Sequence, residues 1–457
     1  MFLLQSKVKR QLGGADHLIT MNMTKPLRQS ANNSQLNYLP FPQVAAVALH
    51  AKENVPITLR LPSGFEQAPP ILAMGSRVRS AFCMLQTGSA VLSQQLGDLK
   101  SSIALKTYQQ TLSLYLSLLA HSPAAIAIEQ HPEYPAAQFG KELANQLNGW
   151  ADCGLPLHDI QYHHAHVAAC MVDNNIPLNT APVLGIALGG LGYGDDKALW
   201  GGEFLLADYC QLQRVGTFKP VALLGGEQAI YQPWRNTYAH LISAFDWEDL
   251  QKVYGQLELL QFLDRQPRLL LNQLLFNSTN APAATSVDRL FDAVAAAVGV
   301  CCETAHYDGQ GAIELEALVN AEQVQSARQA PYPFEILPLR RAAQSIPYVE
   351  SRSMWHSLLE DLFQGVSIHQ VAARFHLGLA DAIVQMVTYL QSQHSFTQVA
   401  LTGHSFRNQI LAQQVTEKLS AKGLTVLTHN QIPTNDSGLS VGQAAITAAR
   451  MIGRVGA

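Results

Sequence analysis

A chain of 457 residues with 48% hydrophobic and 14% charged residues has the make-up of a globular protein with room for two or three domains. A net charge of −4 and a sequence pI near 6.5 leave no basic footprint, so nucleic-acid binding has no electrostatic support. No apolar run reaches membrane-spanning length, no basic-then-apolar signal opens the chain, and the six cysteines contain no Cys-x-x-Cys pair, which argues against a membrane protein, a disulfide framework and structural zinc and makes the cytoplasm the expected compartment.

Residues 1–68 are polar, broken by Asn32-Asn33-Ser34, Pro40, Pro42 and Pro56, and read as an irregular arm. From Ile71 the pattern changes to short apolar runs, 71–75, 81–85 and 90–93, with turns at Gly75 and Thr87-Gly88, which predicts a meander. A helix over 107–120, a buried strand over 124–129, a helix over 135–147 and a histidine-bearing helix ending near Asp173 complete a first α/β lobe, 69–180. The same grammar restarts at Val183: a strand, a glycine turn over 189–194, and strands over 199–206 and 212–217. This recurrence predicts duplicated lobes around a cleft, the second spanning 181–457. That lobe holds a largely helical insertion at about 225–345, a long helix over 369–393, strands over 398–402 and 424–427, a helix over 406–419 and a closing helix over 438–451 that returns to the cleft. The strand exits at Gly403 and Asp436 are expected to face that cleft, because open α/β sheets bind ligands at the carboxyl ends of their strands.

Several constellations carry chemistry. His163, His164 and His166 crowd one helix start, and His163 and His166, three apart, share a face on which a divalent metal would sit. Asp436 is the distant carboxylate best placed to join them, with a helix N-cap as its plainer role. Gly190-Leu-Gly192-Tyr-Gly-Asp-Asp196 has glycines through which backbone N–H groups reach phosphate and carboxylates for Mg²⁺, though an ordinary hairpin turn explains it equally. Asp292 lies on an otherwise apolar helix, where an unpaired carboxylate costs several kcal/mol, and so suits a ligand contact. The Tyr307-Asp-Gly309-Gln-Gly311 turn, with Glu314 and Glu316, and the segment from Gly403 to Asn408 suit nucleotide contact.

Taken together, Ser93-Gln-Gln-Leu-Gly-Asp-Leu99, His131-Pro-Glu-Tyr134, 161–170, 190–196 with Trp200-Gly-Gly-Glu203, Pro233-Trp-Arg-Asn236, Arg289-Leu-Phe-Asp-Ala293, Tyr307-Asp-Gly-Gln310 with Glu314-Leu-Glu316, Arg374-Phe-His376, and Asn435-Asp436 with Gly442-Gln443 resemble the carbamoyltransferase half of the HypF family of nickel–iron hydrogenase maturation proteins, which is related to the TsaD-like threonylcarbamoyl transferases. The resemblance implies an actin-like (ASKHA), duplicated, two-lobed ATPase-type α/β fold. It further implies ATP or carbamoyl-adenylate bound between the lobes beside a divalent metal, iron or zinc, and transfer of the carbamoyl group to the C-terminal cysteine of a HypE-like partner. It assigns His166 and Asp436 to the metal and Asp292, Gly309 and Asn408 to nucleotide and substrate; Gly190, Gly192 and Gly403 join these from the glycine patterns above. Tyr162 stands where the family has its first metal histidine, so either Tyr162 or His163 substitutes or the metal site is lost. Gly189, Asp288 and His404 also depart from the family pattern, an aspartate being replaced at the first and glycines at the other two. Residues 1–68 resemble the remnant of a YrdC-like module, which implies that carbamoyl-adenylate comes from a separate protein. A catalytically degenerate paralogue that serves as a binding or scaffold module is the alternative reading.

Overall fold

Thr87 and Gly88, at φ 48° and 70°, make the two-residue turn that joins strand β3 (Cys83–Gln86) to β4 (Ser89–Leu92), the left-handed pair that matches the natural twist of a hairpin. The structure, a computed structural model, describes residues 55–131, 133–147, 155–277, 280–341 and 344–455, all of them within the unit Val47–Ala457. Most of the expected arm lies outside the described residues. Its end does not stay irregular: β1 (Ile57–Arg60) pairs antiparallel with β4, because alternating side chains let the segment bury one face on the sheet edge.

The first sheet runs β1-β4-β3-β2-β5-β6, with β2 at Ile71–Ala73, β5 at Ala125–Glu129 and β6 at Leu157–Ile160. Period-two alternation divides its side chains. Leu72, Ile126 and Ile128 meet the outer helices Ser102–Leu118 and Pro135–Gln146, whereas Ile71, Ala73, Ala125 and Ala127 face inward. Small residues dominate the inward face because two helices approach it closely.

The second sheet takes the order β12-β13-β9-β8-β7-β14-β15. Its strands are β7 (Val183–Tyr193), β8 (Leu199–Ala207), β9 (Leu212–Phe218), β12 (Glu335–Arg341), β13 (Gln344–Glu350), β14 (Gln398–Thr402) and β15 (Thr425–Leu427), and the short β10 (Val221–Ala222) and β11 (Ala283–Ala284) attach beside β8. Leu184, Ile186 and Leu188 pack on the outer helices, among them Val287–Ala297 and Ile368–Gln391, while Val183 and Ala187 turn inward. The insertion carries helices between Gln228 and Phe276 and again between Val287 and Ala327, with β11 between the two groups; beyond that the chain forms the β12–β13 hairpin and lengthens the sheet. Among the described residues no helix is long and apolar enough to cross a membrane.

Between the sheets lie the histidine helix (Tyr162–Asp173) and the closing helix (Leu439–Val455), sharing one core with the inward faces of both sheets. A Cβ on Gly442 would stand 1.8 Å from the Ala165 carbonyl oxygen, so only glycine allows this approach. At the next residue, buried Gln443 accepts from the Gly75 N–H at 2.8 Å and donates to the Gly75 carbonyl at 3.2 Å, tying the closing helix to the first sheet. Removing that amide strands a buried donor and acceptor, at about 1–3 kcal/mol for each group left unpaired. Gln443→Ala should therefore lower the stability by roughly 2–4 kcal/mol, read as a shift of the urea-unfolding midpoint with the slope unchanged.

Candidate functional site

The histidine helix starts where the Gln161 side chain accepts from the His164 N–H at 2.9 Å. That start aims its first turn at the closing helix. His166 and Tyr162, four apart, stack edge to face with centroids 4.6 Å apart, so the convergence expected of His163 and His166 falls instead to Tyr162 and His166. His163 turns away: Gln161 Nε2 lies 3.1 Å from its Nδ1, and it packs on Trp200 with centroids 5.6 Å apart. Burial, with His166 and Arg214 nearby, holds its pKa well below the ordinary imidazole value, so it stays neutral. His164 is structural, with Nε2 2.7 Å from the Asp208 carbonyl.

Asp436 comes to meet this turn. Its neighbour Asn435 performs the capping, accepting from the Ser437 N–H at 3.0 Å, and leaves Asp436 for the site. The Tyr162 hydroxyl donates to Asp436 Oδ1 at 2.6 Å, and His166 Nε2 stands 3.8 Å from the same oxygen with no hydrogen bond of its own. Burial pushes the Asp436 pKa up, but the His166 imidazole and the Tyr162 hydroxyl outweigh it and hold the carboxyl below its ordinary value. Burial and the Asp436 charge drive the phenol well above its own. Among the described residues no three His, Cys, Asp or Glu side chains gather closely enough to hold a metal. Of the four residues expected around an ion, two with ligand chemistry, His166 and Asp436, thus approach each other, with the Tyr162 proton lying against the Asp436 oxygen between them.

An open cleft extends from this point, lined by Arg77, Arg79, Lys100, His131 and Tyr134 of the first lobe, by Gly190, Gly192, Arg289, Asp308 and His404 of the second, and by Tyr162 and Asp436. Lys100 Nζ donates to Glu227 across the two lobes at 2.5 Å, an exposed pair worth less than about 1 kcal/mol. Deeper in the second lobe, buried Arg289 donates to Asp308 and holds its Nε 3.1 Å from Asp292 Oδ2. Burial lifts the Asp292 pKa to about 7 against the pull of Arg289. Asp288 accepts from Ser405 Oγ at 2.6 Å and lies 3.2 Å from His404 Nδ1. Burial alone would raise its pKa; His404, Arg289 and Ser405 bring it below the ordinary value.

The glycine turn expected over 189–194 is strand. β7 continues to Tyr193, with a register irregularity between Leu188 and Gly192, and the reversal comes at Gly194, whose N–H donates to the Ala198 carbonyl at 2.9 Å. The reason is packing: a Cβ on Gly192 would stand 2.5 Å from both His163 and Tyr162, and one on Gly201 only 2.0 Å from the Gly190 carbonyl. Of the two carboxylates read as Mg²⁺ ligands, Asp195 and Asp196, the second is taken up within the turn, and the nearby Glu203 on β8 is taken up as well. Asp196 accepts from Trp200 Nε1 at 2.8 Å, and buried Glu203 accepts from Arg214 Nε at 2.6 Å and from Thr285. Gly190 lines the cleft and Gly403 the pocket behind it, while Gly309, at φ 85°, starts the helix Gln310–Ala317 beneath the His404 ring. Asn408 is committed elsewhere: its Oδ1 caps the helix Gln409–Ala421 by accepting from the Leu411 N–H at 2.9 Å, and its Nδ2 meets His376 Nε2 at 2.8 Å. That fixes Asn408 as a hub between helices.

Residues 66–173 match the family model described as "HypF Kae1-like domain", and residues 185–443 match "Carbamoyltransferase, Kae1-like Domain, second subdomain". The chain belongs to the HypF carbamoyltransferase family. It is 36% identical to Carbamoyltransferase HypF of Rhodobacter capsulatus, over 89% of this chain and 50% of that protein. It is 31% identical to a Carbamoyltransferase HypF homolog of Cupriavidus necator, over 85% of this chain and 93% of that protein. It spans about half the length of the first of these relatives and nearly all of the second. Full-length HypF in its phosphate- and nucleotide-bound form superposes with a TM-score of 0.73 at 28% identity, over 86% of this chain and 56% of that one. HypF from T. kodakarensis superposes with a TM-score of 0.72 at 26% identity, over 87% of this chain and 50% of that one. The HypF-type, actin-like two-lobed fold is therefore established for this chain.

Within this HypF frame the structure adds Glu129, which sequence reasoning missed although it stands at the carboxyl end of a fully buried strand. Both its oxygens are buried without a hydrogen bond, and burial, with the Asp436 charge, lifts its pKa to about 8 against the lowering influence of Ser76 and Arg77. With a folded pKa of about 8 and an ordinary one of 4.5, the protonated carboxyl is the form the fold favours. The penalty for ionising it is absent below the ordinary pKa and grows until pH passes the folded one. Glu129→Gln should leave the stability almost unchanged at acid pH and raise it at alkaline pH by on the order of a few kcal/mol, read as a higher melting temperature in a thermal-denaturation series against pH.

A second expectation concerns the metal. Tyr162→His would replace a phenol proton with an imidazole nitrogen beside His166 and Asp436, giving three ligands. The variant should bind one divalent zinc or iron per chain at least about tenfold more tightly than the parent by titration calorimetry, a gain of about 1.4 kcal/mol.

Proposed function

We propose that this chain is a carbamoyltransferase of nickel–iron hydrogenase maturation, acting in the cytoplasm on carbamoyl-adenylate supplied by a separate protein. The carbamoyl group passes to the C-terminal cysteine thiolate of a HypE-like partner. One observation carries the reading: in a chain of the HypF carbamoyltransferase family, the cleft between the lobes presents Arg77, Arg79, Lys100 and Arg289 together with the bare backbone of Gly190. Clustered guanidinium groups and side-chain-free backbone suit the phosphate of an adenylate. These residues bind and orient that phosphate for attack on the mixed anhydride. Of the divalent ion that the resemblance implies, His166 and Asp436 would be the ligands. Two side chains are too few for a tight site, and no step of the transfer is routed through it.

A second reading draws on the Tyr162–Asp436 hydrogen bond, which ties up the residues best suited to an ion. On that reading the chain is a degenerate paralogue that keeps the fold as a binding module for the maturation partner. The two separate cleanly in one assay. The chain is mixed with carbamoyl-adenylate and a HypE-like protein, and the partner's mass is followed. Transfer predicts the addition of one carbamoyl group at the C-terminal cysteine and stoichiometric release of AMP; co-purification of the partner with no mass change would select the scaffold instead.

A further inference from the structure

The turn after β14 and the first turn of the helix Val287–Ala297 meet in a histidine–carboxylate pair that the reading above leaves without a task. His404 Nδ1 lies 3.2 Å from Asp288 Oδ2, and the other oxygen of Asp288 is held by Ser405 Oγ at 2.6 Å. The two members differ in access: the Asp288 side chain is 4% exposed and that of His404 23%. A buried carboxylate with a fixed partner on each oxygen is a rigid mount for an imidazole.

The imidazole is equally constrained. Gly403 sits at φ 97°, and a Cβ there would stand 2.2 Å from the Leu188 carbonyl oxygen, so the backbone can enter this turn only without a side chain. The His404 ring lies over Gly309, where a Cβ would stand 2.9 Å from Cε1. Two glycines thus clear a slot, and the ring fills it. His404 lines both the open cleft and the smaller pocket behind it that holds His166. With Nδ1 engaged by Asp288, Nε2 is the nitrogen left for a ligand, and it makes no hydrogen bond among the described residues.

The charges around the pair leave it intact. Arg289, the nearest guanidinium, donates to Asp308 and pairs with Asp292, so it does not take Asp288 away from His404. Asp292 and Asp308, the remaining carboxylates facing the pair, are opposed by that same arginine. A carboxylate bound to one imidazole nitrogen, with the other nitrogen open to a cleft, is the arrangement of a general base whose tautomer is fixed.

We propose that His404 is the catalytic base of carbamoyl transfer in this chain, with Asp288 as its positioning residue. The inference rests on the transfer reading and adds the proton's path. His404 Nε2 accepts the proton of the acceptor thiol as its sulfur attacks the carbamoyl carbon. The bond from that carbon to the adenylate phosphate oxygen breaks, AMP leaves with the electron pair, and the thiocarbamate forms. The net reaction is thiol plus carbamoyl-adenylate to thiocarbamate plus AMP plus one proton, and Asp288 stabilises the imidazolium until that proton passes to water.

The test uses the full chain, carbamoyl-adenylate and a HypE-like acceptor with a free C-terminal cysteine. His404→Ala should lower turnover by roughly 10²–10⁴-fold while the dissociation constant for AMP changes by less than about threefold, and added imidazole should restore part of the rate in proportion to its neutral form. Asp288→Asn should lower kcat with little change in KM, the mark of a lost tautomer rather than a lost binding contact. Unchanged turnover in His404→Ala, with the parent active, would overturn the base and leave the transfer reading standing. Faster turnover with tighter AMP binding would also overturn it, since the ring would then be a plug in the nucleotide space. A parent chain that transfers nothing would remove both the base and the transfer reading.

Discussion

The contact between Gly442 and the Ala165 carbonyl sets the geometry of everything that matters in the cleft. It lets the closing helix lie directly on the histidine helix, in a layer that both sheets cover with small residues. That approach brings Tyr162 and Asp436, 274 residues apart in sequence, to hydrogen-bonding distance. It also accounts for the alanines at Ala73, Ala125, Ala127, Ala187 and Ala400 on the inward strand faces, where closely packed helices leave little volume. A methyl group at residue 442 would propagate through both lobes, because neither sheet can retreat without opening the other.

Once the inner layer is fixed, electrostatics decides how the cleft is filled. A buried carboxylate without a partner costs several kcal/mol, and the structure answers that cost differently at different places. Asp436 receives a phenol proton and an imidazole neighbour and stays ionised. Asp288 receives a serine and a histidine with the same result. Glu129 receives no hydrogen bond, and the fold favours its neutral form. The two cleft carboxylates thus stay ionised at neutral pH while buried Glu129 does not, because their hydrogen-bond donors differ. Arg289 shows the complementary case: three aspartates raise its affinity for a proton more than burial lowers it, so the guanidinium is a fixed positive charge.

The architecture was largely legible in the sequence. Period-two and period-3.6 patterns placed most strands and helices within a few residues, and the restart of the pattern at Val183 announced the second lobe. What the pattern could not convey was direction. Spacing put His163 and His166 on one face, yet a Cβ-free Gly192 draws His163 toward β7 and leaves Tyr162 as the neighbour of His166. Asp196 looked like a carboxylate offered to a cation and is spent on Trp200 and Arg214, and the neighbouring Glu203 is spent on Arg214 and Thr285, contacts set by how β8 lies against β9 and β11. Asn408 has the composition of a ligand contact and the occupation of a helix cap. In each case the residue type was read correctly as polar and committed; the partner came from tertiary structure.

Glycine gives the most general form of that lesson. At Gly190, Gly192, Gly309 and Gly403 the sequence signals that something comes close to the backbone, and it does so reliably, because only a missing Cβ relieves the contact. The signal carries no information about what comes close. At Gly192 it is the histidine helix, at Gly403 the Leu188 carbonyl and at Gly309 the ring of His404. Only Gly190 keeps its open side toward the cleft, where the nearest atom a Cβ would meet is Asp288 Oδ2 at 3.6 Å. The cleft beside Gly190 is therefore bounded on one side by Arg289 and on the other by a histidine already held by its own carboxylate. A ligand entering it would meet a fixed cation and an imidazole tied through Nδ1 to a buried carboxylate, so the chemistry available there is set by Asp288, Arg289 and His404.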